Sequence, residues 1–148
     1  VELSQHFSLE ELIHSDVALR RGLDNAPNAG EVANLVLLCE TLLEPVRRML
    51  GTPLHINSGY RSPSVNQAVG GTKASAHMDG RAADFVPEGM NLESAFDQIR
   101  LSGLPYDQVI LECGAWIHLA IARSGDNPRR QALKASGGPG NWDYRVVA

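Results

Sequence analysis

The hydrophobic period of this chain changes at Gly51-Thr52-Pro53, and few folds accommodate both sides of that change. Upstream, Val32, Leu35, Val36, Cys39, Leu42, Leu43, Val46, Met49 and Leu50 recur at steps of three and four. They form one broad apolar face and predict a helix from about Glu31 to Leu50, with Gly51 as its stop. Pro45 lacks an amide donor and is predicted to bend or break the last turns. Downstream, Leu54 and Ile56 alternate with His55 and Asn57, the period of a strand leading into Ser58-Gly59-Tyr60-Arg61. A long amphipathic helix followed by alternating segments requires an α+β fold.

The flanks fill in the remaining elements. Ser8 and Glu11 have the spacing of a capping box, with Phe7 stapling onto Leu12, so a helix starts there. A second short helix is predicted from Ser15 to Arg21, ended by Gly22, and Asp24 to Gly30 reads as loop. Ser62-Pro63 reads as a cap and first helical residue, with a short helix through Ala68. Ala82 to Val86 is predicted as a strand, and Asn91 caps a helix on which Leu92, Ala95, Phe96 and Ile99 share a face. Gln108 to Glu112 and Ala115 to Ile121 flank Cys113-Gly114 and predict a hairpin. The stretch from Arg123 is rich in Gly, Pro, Asn and Arg, and is expected to be partly irregular with one short strand near Gln131 to Leu133.

Size and charge narrow the function. At 148 residues the chain fits a single domain, 1–148, able to bury a core without disulfides or a structural metal, so a bound metal is free for chemistry. A net charge of −4 supplies no basic patch and argues against nucleic acid as a partner. The apolar runs are too short to span a membrane. No signal peptide stands at the start; with Val at residue 1, an export signal removed upstream stays open, and localisation with it. Cys39 falls on the apolar stripe of the long helix and reads as a buried free thiol, while Cys113 sits at the hairpin turn.

The chemistry concentrates in Ser75-Ala-His77-Met-Asp-Gly80-Arg-Ala-Ala-Asp84. His77 and Asp84 offer a nitrogen and an oxygen donor suited to zinc, and the small residues between them let the backbone lie close to an ion. His118, in the apolar stretch Trp116 to Ala120, is the best third ligand. Three protein ligands leave a fourth position for water, the arrangement of a catalytic site, where zinc lowers the water's pKa toward about 7. The three meet if the strands holding Asp84 and His118 are neighbours.

The wider pattern is Ser58-Gly-Tyr-Arg61-Ser, Asn66, Val69-Gly-Gly71, Ser75-x-His77-x-x-Gly80-x-Ala82-x-Asp84 and Trp116-x-His118. It resembles the zinc D-alanyl-D-alanine carboxypeptidases and their relatives, which include the vancomycin-resistance dipeptidase and phage L-alanyl-D-glutamate endolysins. The resemblance covers about Phe7 to Leu133. It implies the hedgehog/DD-peptidase fold, a small mostly antiparallel sheet with helices packed against it. It also implies a Zn2+ centre on His77, Asp84 and His118, and action on bacterial peptidoglycan peptides by a monomer. Arg61 matches the arginine that contacts substrate near the scissile carbonyl, and a fixed guanidinium there suits a developing oxyanion. Ser75 is expected to bond either the loop or the substrate, and Trp116 to line the substrate groove or pack in the core; Tyr60 is similar.

One position departs from several relatives. They place a general-base glutamate three residues before the last histidine, where this chain has Ala115. Glu112, at the end of the preceding strand, is the first candidate for the base, if a bulge or loop shift aims it at the metal, and Asp79 is the second. His6, His14 and His55 lack partner spacing and read as surface or structural residues, and Arg129-Arg130 as a solvated pair that could meet acidic wall polymers. The leading expectation is a zinc metallopeptidase that cuts peptidoglycan stem peptides or cross-links, as a carboxypeptidase or an endolysin-type endopeptidase. The alternative is an inactive zinc-containing wall-binding or phage structural module, motivated by the missing glutamate.

Overall fold

The computed structural model describes residues 1–138 and 140–147. Its helices are α1 (Leu9–Ile13), α2 (Asp16–Arg21), α3 (Ala29–Leu38), α4 (Glu44–Leu50), α5 (Pro63–Ala68) and α6 (Leu92–Arg100). Its strands are β1 (Leu54–Ser58), β2 (Ala82–Pro87), β3 (Gln108–Glu112), β4 (Trp116–Ala120), β5 (Gln131–Gly138) and β6 (Asn141–Val146). They form one sheet in the order β1-β2-β4-β3-β5-β6, antiparallel throughout except for the β3–β5 pair. This is the mostly antiparallel α+β architecture expected.

The local signals work as their chemistry requires. Ser8 accepts the Glu11 amide and Glu11 reaches back to the Ser8 amide, closing the capping box, with Phe7 and Leu12 both buried beneath it. Asn28 makes the same box with Glu31, so the long helix starts at Ala29, inside the stretch expected to be loop. Pro45 does not break that helix. The turn before it, Cys39–Leu43, widens to a π turn in which the Glu44 amide donates to the Cys39 carbonyl, five residues back. The wider spacing carries the chain past a residue with no donor of its own.

One sheet face is buried under the helices. Leu35, Leu38, Leu42 and Val46 of the long helix and Phe96 and Ile99 of α6 cluster with Phe85, Val109, Ile117 and Leu119 from the central strands. Strand residues alternate between faces, so Asp84, His118 and Ile110 point to the other side. The amino-terminal segment is tied down by Glu44, which accepts Ser4 Oγ at 2.6 Å and the His6 amide at 2.7 Å.

The carboxy-terminal part is more regular than expected. The short strand predicted near Gln131 runs on to Gly138, and β6 returns antiparallel to it. Alternation is blurred there by Gly137 and Gly138, which give no side-chain signal. Arg129 and Arg130 are both exposed, as expected, and Arg129 also holds the buried Asp107 carboxylate at 2.8 Å while Arg130 donates to the Gly103 carbonyl. Among the described residues no helix is long and apolar enough to cross a membrane.

Candidate active site

The sheet register builds the centre. Ser58, Asp84 and His118 stand opposite one another on β1, β2 and β4, so their side chains line up on the face away from the helices. Ser58 reaches that row because β1 is bulged between Ile56 and Ser58, which re-aims the strand end. His77 enters from the loop. Ser75 caps a single 3-10 turn, Ala76–Asp79, by accepting the His77 amide, and Gly80 ends it in the left-handed region at φ 73°. A Cβ on Gly80 would lie 2.5 Å from the Glu31 carbonyl oxygen, so only glycine lets this turn sit against α3. Asn34 fixes the turn from the helix by donating to the Asp79 carbonyl at 2.8 Å.

His77, Asp84 and His118 thereby bring ligand atoms within 4.8 Å of one another. Asp84 Oδ1 is 2.9 Å from His118 Nδ1 and 3.3 Å from His77 Nε2. A tetrahedral zinc with bonds of about 2.0–2.2 Å spaces its donors roughly 3.3 Å apart, so both separations suit one ion held between them. His77 Nδ1 lies 2.7 Å from the Gly59 carbonyl, an acceptor that keeps the proton on that nitrogen and leaves Nε2 with its lone pair toward Asp84. Burial holds the His77 imidazole below its ordinary pKa despite Asp84 beside it, which keeps it neutral and able to ligate. For Asp84, burial opposes ionisation, but His77 and His118 outweigh it and hold the carboxyl well below the usual carboxylate range. A buried carboxylate with two imidazoles is a donor set that fits a divalent metal.

Arg61 flanks the three. Its Nε donates to Ser58 Oγ at 3.1 Å and its Nη1 to Asn66 Oδ1 at 3.0 Å, which leaves Nη2 at 3.6 Å from Asp84 Oδ2. Asn66 is itself buried and donates to the Thr72 carbonyl. The sequence singled out Arg61 but gave no role to Asn66 or Ser58. The available signal was a polar residue on the buried side of a short capped helix.

Glu112 reaches the same face through the hairpin. Cys113 and Gly114 both take positive φ, 53° and 64°, and the Ala115 amide donates to the Glu112 carbonyl. Ala115 is then an extra residue, so Glu112 stands opposite Trp116 rather than opposite Ala115. Burial raises the Glu112 carboxyl above its ordinary value; His118 and Arg61 oppose that and Asp84 adds to it. Asp79 is drawn elsewhere, with its carboxylate held at 2.9 Å by Arg81. Arg81 in turn donates to the Ile121 carbonyl and locks the loop to the end of β4. Trp116 is half-buried on the ligand face, whereas Tyr60 is in the core, its hydroxyl pushed up to about 12 by burial and Glu31. Ser75 Oγ is engaged by the His77 amide. His6 contacts Glu44, His14 contacts Asp16, and His55 is exposed.

Comparison with known proteins agrees with this geometry. The family model described as Peptidase M15 matches residues 5–120, most of the chain and every residue of the centre just described. No curated protein matches it.

Proposed function

The chain belongs to the peptidase M15 family of metal-dependent peptidases, and from that premise we propose that it hydrolyses peptide bonds in peptidoglycan stem peptides or cross-links, with zinc as the metal. His77, Asp84 and His118 would hold the ion. When bound, the metal supplies Lewis acidity and acidifies a coordinated water.

The chain's own residues do the rest. Glu112 takes the proton from the attacking water and returns it to the departing amine. Burial raises its carboxyl above its ordinary value, which makes it a stronger base. Arg61 is fixed by Ser58 and Asn66 before substrate arrives, so its guanidinium meets the charge that develops on the carbonyl oxygen without first reorganising. Trp116, two residues from His118 on β4, flanks the substrate.

The observation that carries this reading is the shared face of Glu112 and the three metal-binding side chains. It supports a catalytic reading despite Ala115, because a carboxylate shares the face of the centre from three residues further upstream. Purified peptidoglycan incubated with the zinc-loaded protein is the test. New amine termini from the wild type, lost with Glu112→Gln and with His77→Ala, are expected. No release by the wild type under any metal condition would assign the chain to a wall-binding or structural role instead.

A further inference from the structure

Strand β6 has the alternation of a half-buried strand, but its apolar face is not buried. Asn141, Asp143 and Arg145 alternate with Trp142, Tyr144 and Val146, which are 41%, 48% and 70% exposed. An apolar stripe that the described residues leave uncovered is a candidate surface for a ligand.

The register says which face this is. Tyr144 stands opposite Ala135, Ala135 beside Glu112, and Glu112 opposite Trp116, so one row crosses four strands on the ligand face. Ile110, Leu133 and Ala135 make a small second apolar cluster on the same side. Two inter-strand steps, about 10 Å, separate Tyr144 from Glu112. An extended peptide covers that distance in about three residues. Burial raises the Tyr144 hydroxyl, and Glu112, Cys113 and Asp84 raise it further, as expected of a phenol that faces the centre. The β5–β6 pair lies beyond residue 120, where the family match ends.

We propose that Trp142 and Tyr144 form the outer wall of the substrate groove and hold the substrate peptide about three residues from the scissile bond. The wall then selects extended stem or cross-link peptides over a terminal dipeptide. This rests on the peptidase reading above and names the substrate class within it. A peptide is the occupant because the row from Tyr144 through Ala135 ends at Glu112 and Trp116, beside the centre. Three partly exposed side chains fall far short of the ~800 Å² per partner that a stable protein interface buries.

The test compares kcat/KM on a full stem peptide with kcat/KM on an acylated dipeptide, in the zinc-loaded protein. Tyr144→Ala and Trp142→Ala are each expected to lower the ratio about tenfold, mainly through KM of the longer substrate, the scale of one aromatic contact. Leu101→Ala, an exposed apolar side chain at the end of α6, should leave the ratio unchanged. As a readout independent of turnover, stem peptide titrated into Glu112→Gln should shift the tryptophan emission, and adding Trp142→Phe should remove most of that shift. Hydrolysis with an unchanged ratio in both variants overturns the inference and leaves the peptidase reading intact. So does a dimer that dissociates in the variants, which would assign the stripe to a second copy. A wild type that cleaves neither substrate yet still shows the Trp142-dependent shift overturns the peptidase reading and the selection by length, and leaves only the peptide-binding wall.

Discussion

Glu112 pairs with Trp116 across the β3–β4 hairpin, one residue beyond the partner a simple two-residue turn would give it. Side chains alternate along a strand, so that single step decides the face on which Glu112 lies. Paired with Ala115, Glu112 would face the helices; paired with Trp116, it faces Asp84 and His118. The extra residue is Ala115, which occupies the position where several relatives place their base. Glu112→Gln should therefore lower hydrolysis by about 10²–10⁴-fold, whereas deleting Ala115, which leaves Cys113-Gly114 as a two-residue turn with Glu112 still opposite Trp116, should leave it near the wild-type level. Metal content measured on the same samples should stay at the wild-type level. A Glu112→Gln variant with full activity would show that Glu112 is not the base.

Arg61 depends on a close contact between Asn66 and Gly71. A Cβ on Gly71 would fall 2.1 Å from Asn66 Oδ1 and 2.8 Å from Arg61 Nη1. Gly71→Ala and Asn66→Ala should both release the guanidinium and lower kcat by about 10²–10³-fold, the scale of one oxyanion donor. KM should move little, and adding Arg61→Ala to either should cause little further loss. Additive losses in that cycle would mean that the two residues do not act through Arg61.

Metal binding should stabilise a chain that folds without it, because the helix-side core and the centre occupy opposite faces of the sheet. Apo protein prepared by chelation should keep its far-ultraviolet spectrum, and added zinc should raise the melting temperature with the logarithm of its excess over the dissociation constant. His118→Ala should abolish that rise. Unfolding on chelation would show instead that the ion is structural.

Acid should loosen the amino-terminal segment through Glu44. Burial raises its carboxyl, but the bonds from Ser4 and His6 outweigh burial and the net shift is downward from 4.5. A depressed folded value means stability that is present above 4.5 and lost as pH falls through the lower folded value. Urea midpoints taken from pH 7 down to pH 3 should fall more steeply for the wild type than for Glu44→Gln. Parallel curves would remove Glu44 from the account.

The thiols should react unequally. Burial pushes the Cys39 thiol up to about 12, whereas Cys113 is exposed in the hairpin turn. An aromatic disulfide reagent should titrate one thiol in the folded protein and two in guanidinium, and Cys113→Ser should abolish the folded-state reaction.

The elements were legible wherever a side chain alone carries the signal. The Ser8, Ser62 and Asn91 caps, the Gly22 and Gly51 stops and the alternation around Leu54 and Phe85 are local chemistry, and each appears where it was read. The apolar period starts the helix only at about Glu31, so its capping partner Asn28 falls in the expected loop. The alternation of Trp142, Tyr144 and Val146 with Asn141, Asp143 and Arg145 is the signal for β6, and the Gly-, Pro-, Asn- and Arg-rich composition of the stretch from Arg123 masks it.

The site divides in the same way. The residues themselves determined the donor set, since His77, Asp84 and His118 are the types and spacings that a zinc centre needs. They also determined the left-handed turn at Gly80 that delivers His77. Register lay beyond them. Whether β2 neighbours β4, whether Ala115 is an extra residue in the hairpin and whether β6 adds its face to the sheet depend on pairings between distant segments. Only the folded sheet selects those pairings, by burying Phe85, Ile117 and Val109 together on one side. The opposite side, with Asp84, His118, Glu112 and Tyr144, is fixed by that burial.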